Sequence, residues 1–182
     1  YHGLSFLEEF GEEAFITYLR NKSLRNFGAC PSPFNSFLNL TGLETLSVRM
    51  EKHCKNAEVL ADFLKDHEKV NWVKYPKLKS HASHEIARDY LNHGYGAVIT
   101  FGVEGGHEAG KQLIENVELI SFSANVGDTK SLIIHPSSTT HKQLSAEEKI
   151  EAGITEDMVR LSVGIEDISD VKDDLDERLK KL

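Results

Sequence analysis

The stretch from Ser121 to His141 crowds Ser123, Asn125, Asp128, Thr129, Ser137, Ser138, Thr139 and Thr140 around short apolar runs. Amide and hydroxyl groups at that density can be aimed at a polar ligand. They can equally close Asx and Ser/Thr turns on their own backbone, and pattern alone leaves the two even. Arg160 is the second group with chemical promise. Strand alternation sends Val159, Leu161 and Val163 to one face, so Arg160 and Ser162 project from the other. A guanidinium held on a rigid strand suits a bidentate grip on a carboxylate. The competing expectation, which pattern favours, is a surface Arg paired with Glu156 or Asp157.

Three other groupings carry weaker chemistry. Gly105-Gly106-His107-Glu108-Ala109-Gly110-Lys111-Gln112 nearly spells a phosphate-binding loop. Gln112 stands where a hydroxyl must hold magnesium, and Glu108 would set a carboxylate against phosphate oxygens, so a plain strand-to-helix turn is expected. His81, His84 and His93 lie in polar sequence with no carboxylate or Cys completing a ligand set, so no metal site is expected. Cys30 and Cys54 lack CxxC spacing and are expected to be reduced, core-like thiols.

The elements that must position these residues can be read from periodicity. Leu4 to Asn26 looks helical and closes at the breaker cluster Phe27 to Pro33. Leu43, Leu46, Met50, Cys54, Ala57, Ala61 and Leu64 recur at steps of three and four. That period predicts one long helix from Phe34 to Asp66, kinked or closely packed at Gly42. Strands are expected at Val70–Tyr75, Tyr95–Val103, Leu119–Ser123, Ser131–His135 and around Val159–Val163. Helices are expected over His84–Asn92, after Gly106, and at the end, where Ile168, Val171, Leu175 and Leu179 share a face. The fold class is therefore α+β, a small, mostly antiparallel sheet covered by helices on one face.

The 182 residues carry 21 Lys and Arg against 29 Asp and Glu, a formal charge of −8. An acidic chain without a basic stripe argues against nucleic acid or an anionic membrane as partner. Charged residues interrupt every apolar run well before a membrane span is reached. With no visible signal peptide and no disulfide framework, a cytoplasmic protein is expected. The chain begins at Tyr1 rather than Met, and a piece of a longer polypeptide is expected.

Three ordered motifs resemble one family together. They are Gly42-Leu43-Glu44-Thr45-Leu46 with Arg49-Met50-Glu51; Gly127-Asp128-Thr129-Lys130-Ser131-Leu132 through His135-Pro136 to Thr140-His141; and Arg160-Leu161-Ser162-Val163-Gly164-Ile165-Glu166-Asp167. The family is the pyridoxal-phosphate-dependent Cys/Met metabolism enzymes of fold type I, and the resemblance spans essentially the whole chain. It implies the tail of the cofactor domain over 1–33, a long bridging helix over 34–66, and the C-terminal α+β domain of a fold type I transferase over 67–182. It implies that Arg160 binds the α-carboxylate of an amino-acid substrate and that Thr140 is an active-site threonine. Asn125 falls where lyase members carry Ser in a Ser-Leu-Gly run, and Asn125-Val126-Gly127 is the sulfhydrylase form. The implied substrate-binding set is Arg160, Asn125, Val126 and Thr140.

The family's Schiff-base lysine sits in a Ser-x-Thr-Lys segment followed by Gly-rich sequence, which is not found here. Asp128-Thr129-Lys130 is superficially like it but falls in the substrate loop. The resemblance thus implies no catalytic, cofactor-binding or metal-binding residue in this stretch. Pyridoxal phosphate is expected in the full-length enzyme, a homotetramer, and not on this piece, which alone should be inactive. The implied reaction exchanges the acetate of O-acetylhomoserine for sulfide or methanethiol, giving homocysteine or methionine. Alternatives are a related methionine γ-lyase or cystathionine γ-synthase, or a non-enzymatic amino-acid-binding α+β module with Arg160 as its carboxylate clamp.

Overall fold

A computed structural model describes residues 2–182, which group into two compact units meeting between Glu44 and Thr45. The first is helical throughout: α1 (Phe6–Phe10), a 3-10 turn, α2 (Ala14–Tyr18), a π-helical turn (Leu19–Leu24), α3 (Arg25–Phe27) and α4 (Pro33–Glu44). Ser5 caps α1 by accepting from the Glu8 N–H. Ser32 does the same for α4, accepting from the Asn35 N–H at 3.1 Å, with Pro33 in the first turn, where its missing N–H costs nothing. None of these helices buries a residue within the described chain.

The second unit starts with α5 (Leu46–Lys65) and runs β1 (Val70–Lys74), α6 (His84–Tyr90), β2 (Val98–Val103), α7 (Gly106–Asn116), β3 (Ser121–Phe122) and β4 (Leu132–Ile134). A 3-10 turn (Pro136–Ser138), α8 (Ala146–Glu151), β5 (Met158–Ser162) and α9 (Ile168–Leu179) complete it. The five strands lie in the order β1-β2-β5-β4-β3, antiparallel except for the parallel pair β3 and β4. Ile99, Phe101, Val103, Val159, Leu161, Val163 and Ile133 form one apolar face. Ala57, Leu60, Ala61 and Leu64 of α5, Leu113 of α7, and Val171, Leu175 and Leu179 of α9 pack on it. Each large side chain sealed there contributes roughly 1.5–3 kcal/mol.

The helix predicted from Phe34 to Asp66 is two helices, interrupted at Thr45 (φ −106°, ψ 3°). Gly42 is not the break: it continues α4, and a Cβ there would meet nothing within 4 Å. Leu43, Leu46 and Met50 keep the period yet are exposed, because the buried face of α5 begins only at His53. Cys54 is buried as expected, whereas Cys30 is exposed, so the second core thiol is not realised. Gly105, at the N-cap, and Gly106, the first residue of α7, form the plain strand-to-helix turn, both at positive φ.

Candidate functional site

Arg160 occupies the middle of β5, the central strand, flanked by the fully buried Val159 and Leu161. Its register partners are Thr100 on β2 and Ile134 on β4, and Lys74 on β1 aligns with Thr100. These four therefore share the face opposite the helical core. Arg160 is half-buried, and no hydrogen bond or ion pair to its guanidinium occurs among the described residues. The two carboxylates nearest in sequence are engaged elsewhere. Asp157 accepts from the Trp72 indole at 2.9 Å, across a Gly102 whose Cβ would fall 2.1 Å from that nitrogen. Glu156 accepts from Ser137, Lys149 and His107. A guanidinium carries five N–H donors, and a half-buried one with no counter-ion among the described residues can accept an external carboxylate as partner.

The strand pairing assembles the polar loops at one end of the sheet. Because β3 runs parallel to β4, both finish at the same edge, and antiparallel β5 begins there. Asn125 follows the end of β3 closely, Thr140 follows the end of β4, and Arg160 pairs with the last β4 residue, Ile134. Both loops thus leave the sheet at the end near Arg160. Asn125 and Val126 are exposed, and the Asn125 side-chain oxygen accepts from the Val126 N–H at 2.9 Å. Thr140 is exposed, its hydroxyl 2.8 Å from Nδ1 of His141. Asp128 accepts from the Lys130 N–H at 3.0 Å. Local turns therefore hold these groups, while the sheet decides which end of the molecule they occupy.

A second network braces the loop that precedes β4. Ser131 N–H and hydroxyl both donate to Glu166, at 2.6 and 2.9 Å, and the Gly164 N–H donates to the Ser131 hydroxyl at 2.9 Å. Gly164 is required by close approach, since a Cβ would lie 2.2 Å from Glu166 and 2.5 Å from the Lys130 backbone. From α5, Asn56 donates to the carbonyls of Gly164 and Glu166, and His53 Nδ1 donates to that of Val163 at 2.6 Å. The Ser162-to-Glu166 run is thus a junction of α5, β5 and the substrate-loop candidate.

Sequence reasoning did not find the cluster around Glu156, because two of its members, Ser137 and His107, stand 19 and 49 residues away along the chain. The Ser137 hydroxyl donates to Glu156 at 2.7 Å and accepts from Lys149 at 2.8 Å, and His107 of α7 also donates to the carboxylate. Those hydrogen bonds, Ser137 first and then His107, hold the Glu156 carboxyl at about 2, well below the usual carboxylate range. His135 is fully buried; Nε2 donates to the Glu156 carbonyl at 2.8 Å and Nδ1 accepts from the Ser138 hydroxyl. Burial pushes this imidazole below its ordinary value, consistent with that neutral tautomer. The only signal in the sequence was the polar run from His135 to His141.

Among the described residues no helix is long and apolar enough to cross a membrane, and no group of His, Cys, Asp and Glu is placed to hold a metal ion. The model of the family Cys/Met metabolism PLP-dependent enzyme matches residues 9–180. The homocysteine synthase of Schizosaccharomyces pombe is 49% identical over 99% of the chain. The O-acetyl-L-homoserine sulfhydrylase 1 of Thermus thermophilus is 50% identical over 98%. In each case the chain spans 42% of the relative's length. A solved structure from Campylobacter jejuni, described as an O-acetylhomoserine (thiol)-lyase with a pyridoxyl-lysine, superposes with a TM-score of 0.85 and 40% identity over 99% of the chain and 42% of its own.

Proposed function

The chain belongs to the Cys/Met metabolism PLP-dependent enzymes, and from that premise we propose that it supplies the substrate-carboxylate end of an O-acetylhomoserine sulfhydrylase site. The observation that carries this reading is Arg160: a half-buried guanidinium on the central strand with no counter-ion among the described residues. An amino-acid carboxylate is the ligand such a group is built to take. Asn125, Val126 and Thr140 line the same end of the sheet and complete the substrate-binding set.

The residues present do not fit the seat of the cofactor itself. A Schiff-base lysine must offer a deprotonated amine, which desolvation or a cationic neighbour favours and an anionic partner or full exposure does not. Lys149, with its side chain only 14% exposed, is tied to Glu156 and Ser137, and Lys130 lies exposed on its loop. We therefore place that lysine in the remainder of the polypeptide. Pyridoxal phosphate supplies an electron sink for carbanion chemistry at the substrate's α and β carbons. What this stretch adds is orientation. A two-point grip by Arg160 removes rotation about the substrate's carboxylate, so that the Cα–H bond keeps one direction relative to its base.

The whole protein is proposed to replace the acetate of O-acetylhomoserine by sulfide or methanethiol, and to act as a homo-oligomer. The test is product analysis on the intact, cofactor-loaded enzyme. Acetate release that depends on sulfide and yields homocysteine supports the reading. Turnover with cysteine as the preferred nucleophile would assign it to cystathionine synthesis instead. Ammonia release without any thiol would make it a γ-lyase.

A further inference from the structure

Resting on that assignment of the substrate site, we propose that Glu156 is a positioning residue: its carboxylate holds the turn Pro136–Ser138, and through it Thr140, at the end of the sheet where Arg160 lies. Ser137 is buried, and its hydroxyl donates to Glu156 Oε2 at 2.7 Å. Lys149 of α8 bridges the same hydroxyl and the other carboxylate oxygen, at 2.8 and 3.3 Å. His107 of α7 donates to Oε2 as well. The backbone carbonyl of Glu156 accepts from His135, the residue at which the chain leaves β4. One residue thus joins the exit of β4, the entry of β5, α7 and α8.

Thr140 has no comparable anchor of its own. Among the described residues its hydroxyl meets only the neighbouring His141, so its location follows from the turn before it. That turn is held by backbone hydrogen bonds, such as His141 N–H to the Pro136 carbonyl at 2.9 Å, and by Ser137. Gly110 lets His135 sit under the turn, since a Cβ there would fall 2.6 Å from the imidazole. The Glu156 side chain is itself 52% exposed, and ion pairs left in water contribute little to global stability. A group that contributes little to stability yet ties together the segments flanking the site acts on geometry.

The experiment is steady-state kinetics on the intact, cofactor-loaded enzyme with Glu156→Ala, Glu156→Gln, Ser137→Ala and Lys149→Met. Glu156→Ala should raise KM for the amino-acid substrate about tenfold or more, with kcat changed much less, since charge-assisted hydrogen bonds are lost. Ser137→Ala, losing one hydroxyl, should raise KM roughly two- to tenfold. Glu156→Gln keeps the acceptor for Ser137 and should restore much of the KM. Melting temperatures should stay near the parent's. An unchanged KM in the folded Ala variants overturns the proposal. So does a loss of kcat in proportion to a falling melting temperature that Gln does not rescue. If Glu156→Ala does not fold, Ser137→Ala and Lys149→Met decide the matter by the same KM criterion. Arg160→Lys separates the two levels: if it leaves KM unchanged, the site assignment fails, whereas a raised KM there with none in the Glu156 and Ser137 variants sinks only this proposal.

Discussion

Arg160 and Glu156 stand four positions apart on one strand and its lead-in, yet they solve opposite electrostatic problems. Arg160 has donors and, among the described residues, no acceptor for its guanidinium; Glu156 is surrounded by donors. In the intact enzyme Arg160→Lys keeps the charge but removes the planar fork. The expected loss is ~1.5–3 kcal/mol of carboxylate grip, roughly 10- to 150-fold in kcat/KM, with the melting temperature nearly unchanged. Unaltered kcat/KM would remove Arg160 from the site. For Glu156 the expectation concerns pH. Its folded carboxyl stays ionised down to about 2, against an ordinary 4.5, so between those values the unfolded chain binds more protons. Its contribution is complete above 4.5 and is lost as pH falls towards 2. Solvent screening keeps that contribution small. Urea unfolding from pH 6 to pH 2.5 should show parent and Glu156→Gln stabilities converging at the acid end. His135, lowered by burial, adds a decline beginning below 6.5 that both proteins share.

At the scale of elements, the connections are set by polar side chains reaching across the fold. Asp174 on α9 is buried and accepts from three successive backbone N–H groups, those of Glu118, Leu119 and Ile120. That grip aims the chain from α7 into β3, the edge strand whose parallel pairing brings Asn125 to the Arg160 end of the sheet. Asp174→Ala would leave those donors without their acceptor, at a cost of about 2–4 kcal/mol. Denaturant unfolding measures it, and a change below about 0.5 kcal/mol would show that water replaces the carboxylate there. The break at Thr45 belongs to this scale too. Apolar period alone cannot tell one long helix from two in succession, because both repeat every three or four residues.

For the molecule as a whole, the helices up to Glu44 expose large apolar side chains, including Leu7 at 73% and Phe27 at 86%. Phe15, Phe34 and Phe37 are exposed as well. Isolated apolar residues on a surface are ordinary, but a helical unit with no buried residue among those described exposes more contiguous apolar surface than a self-contained unit does. The chain spans 42% of the length of the Schizosaccharomyces pombe and Thermus thermophilus relatives, and cover from the rest of an enzyme of that length is the expectation to test. Amide hydrogen exchange compared between this chain and the intact protein should show residues 6–44 protected only in the latter. Equal exchange in both would mean that this surface stays open.

By itself the sequence determined the α+β class, the alternation on β2 and β5, the face of α9 and the family. Each is a local periodicity or a contiguous motif, and a period of two or 3.6 is written directly in the order of residues. It also placed Arg160 off the core face, because its neighbours Val159 and Leu161 demand burial. It could not say that Arg160 has no counter-ion among the described residues, since Asp157 and Glu156 stand beside it in order and find other partners in space. Nor could it gather Ser137, Lys149 and His107 around one carboxylate, or show that Gly164 is a point of close approach. Cys30 and Met50 read as core and are exposed, because apolar character predicts burial only where a partner surface exists. Pairings between distant segments depend on strand order and helix docking, and those are settled only when the whole core packs at once.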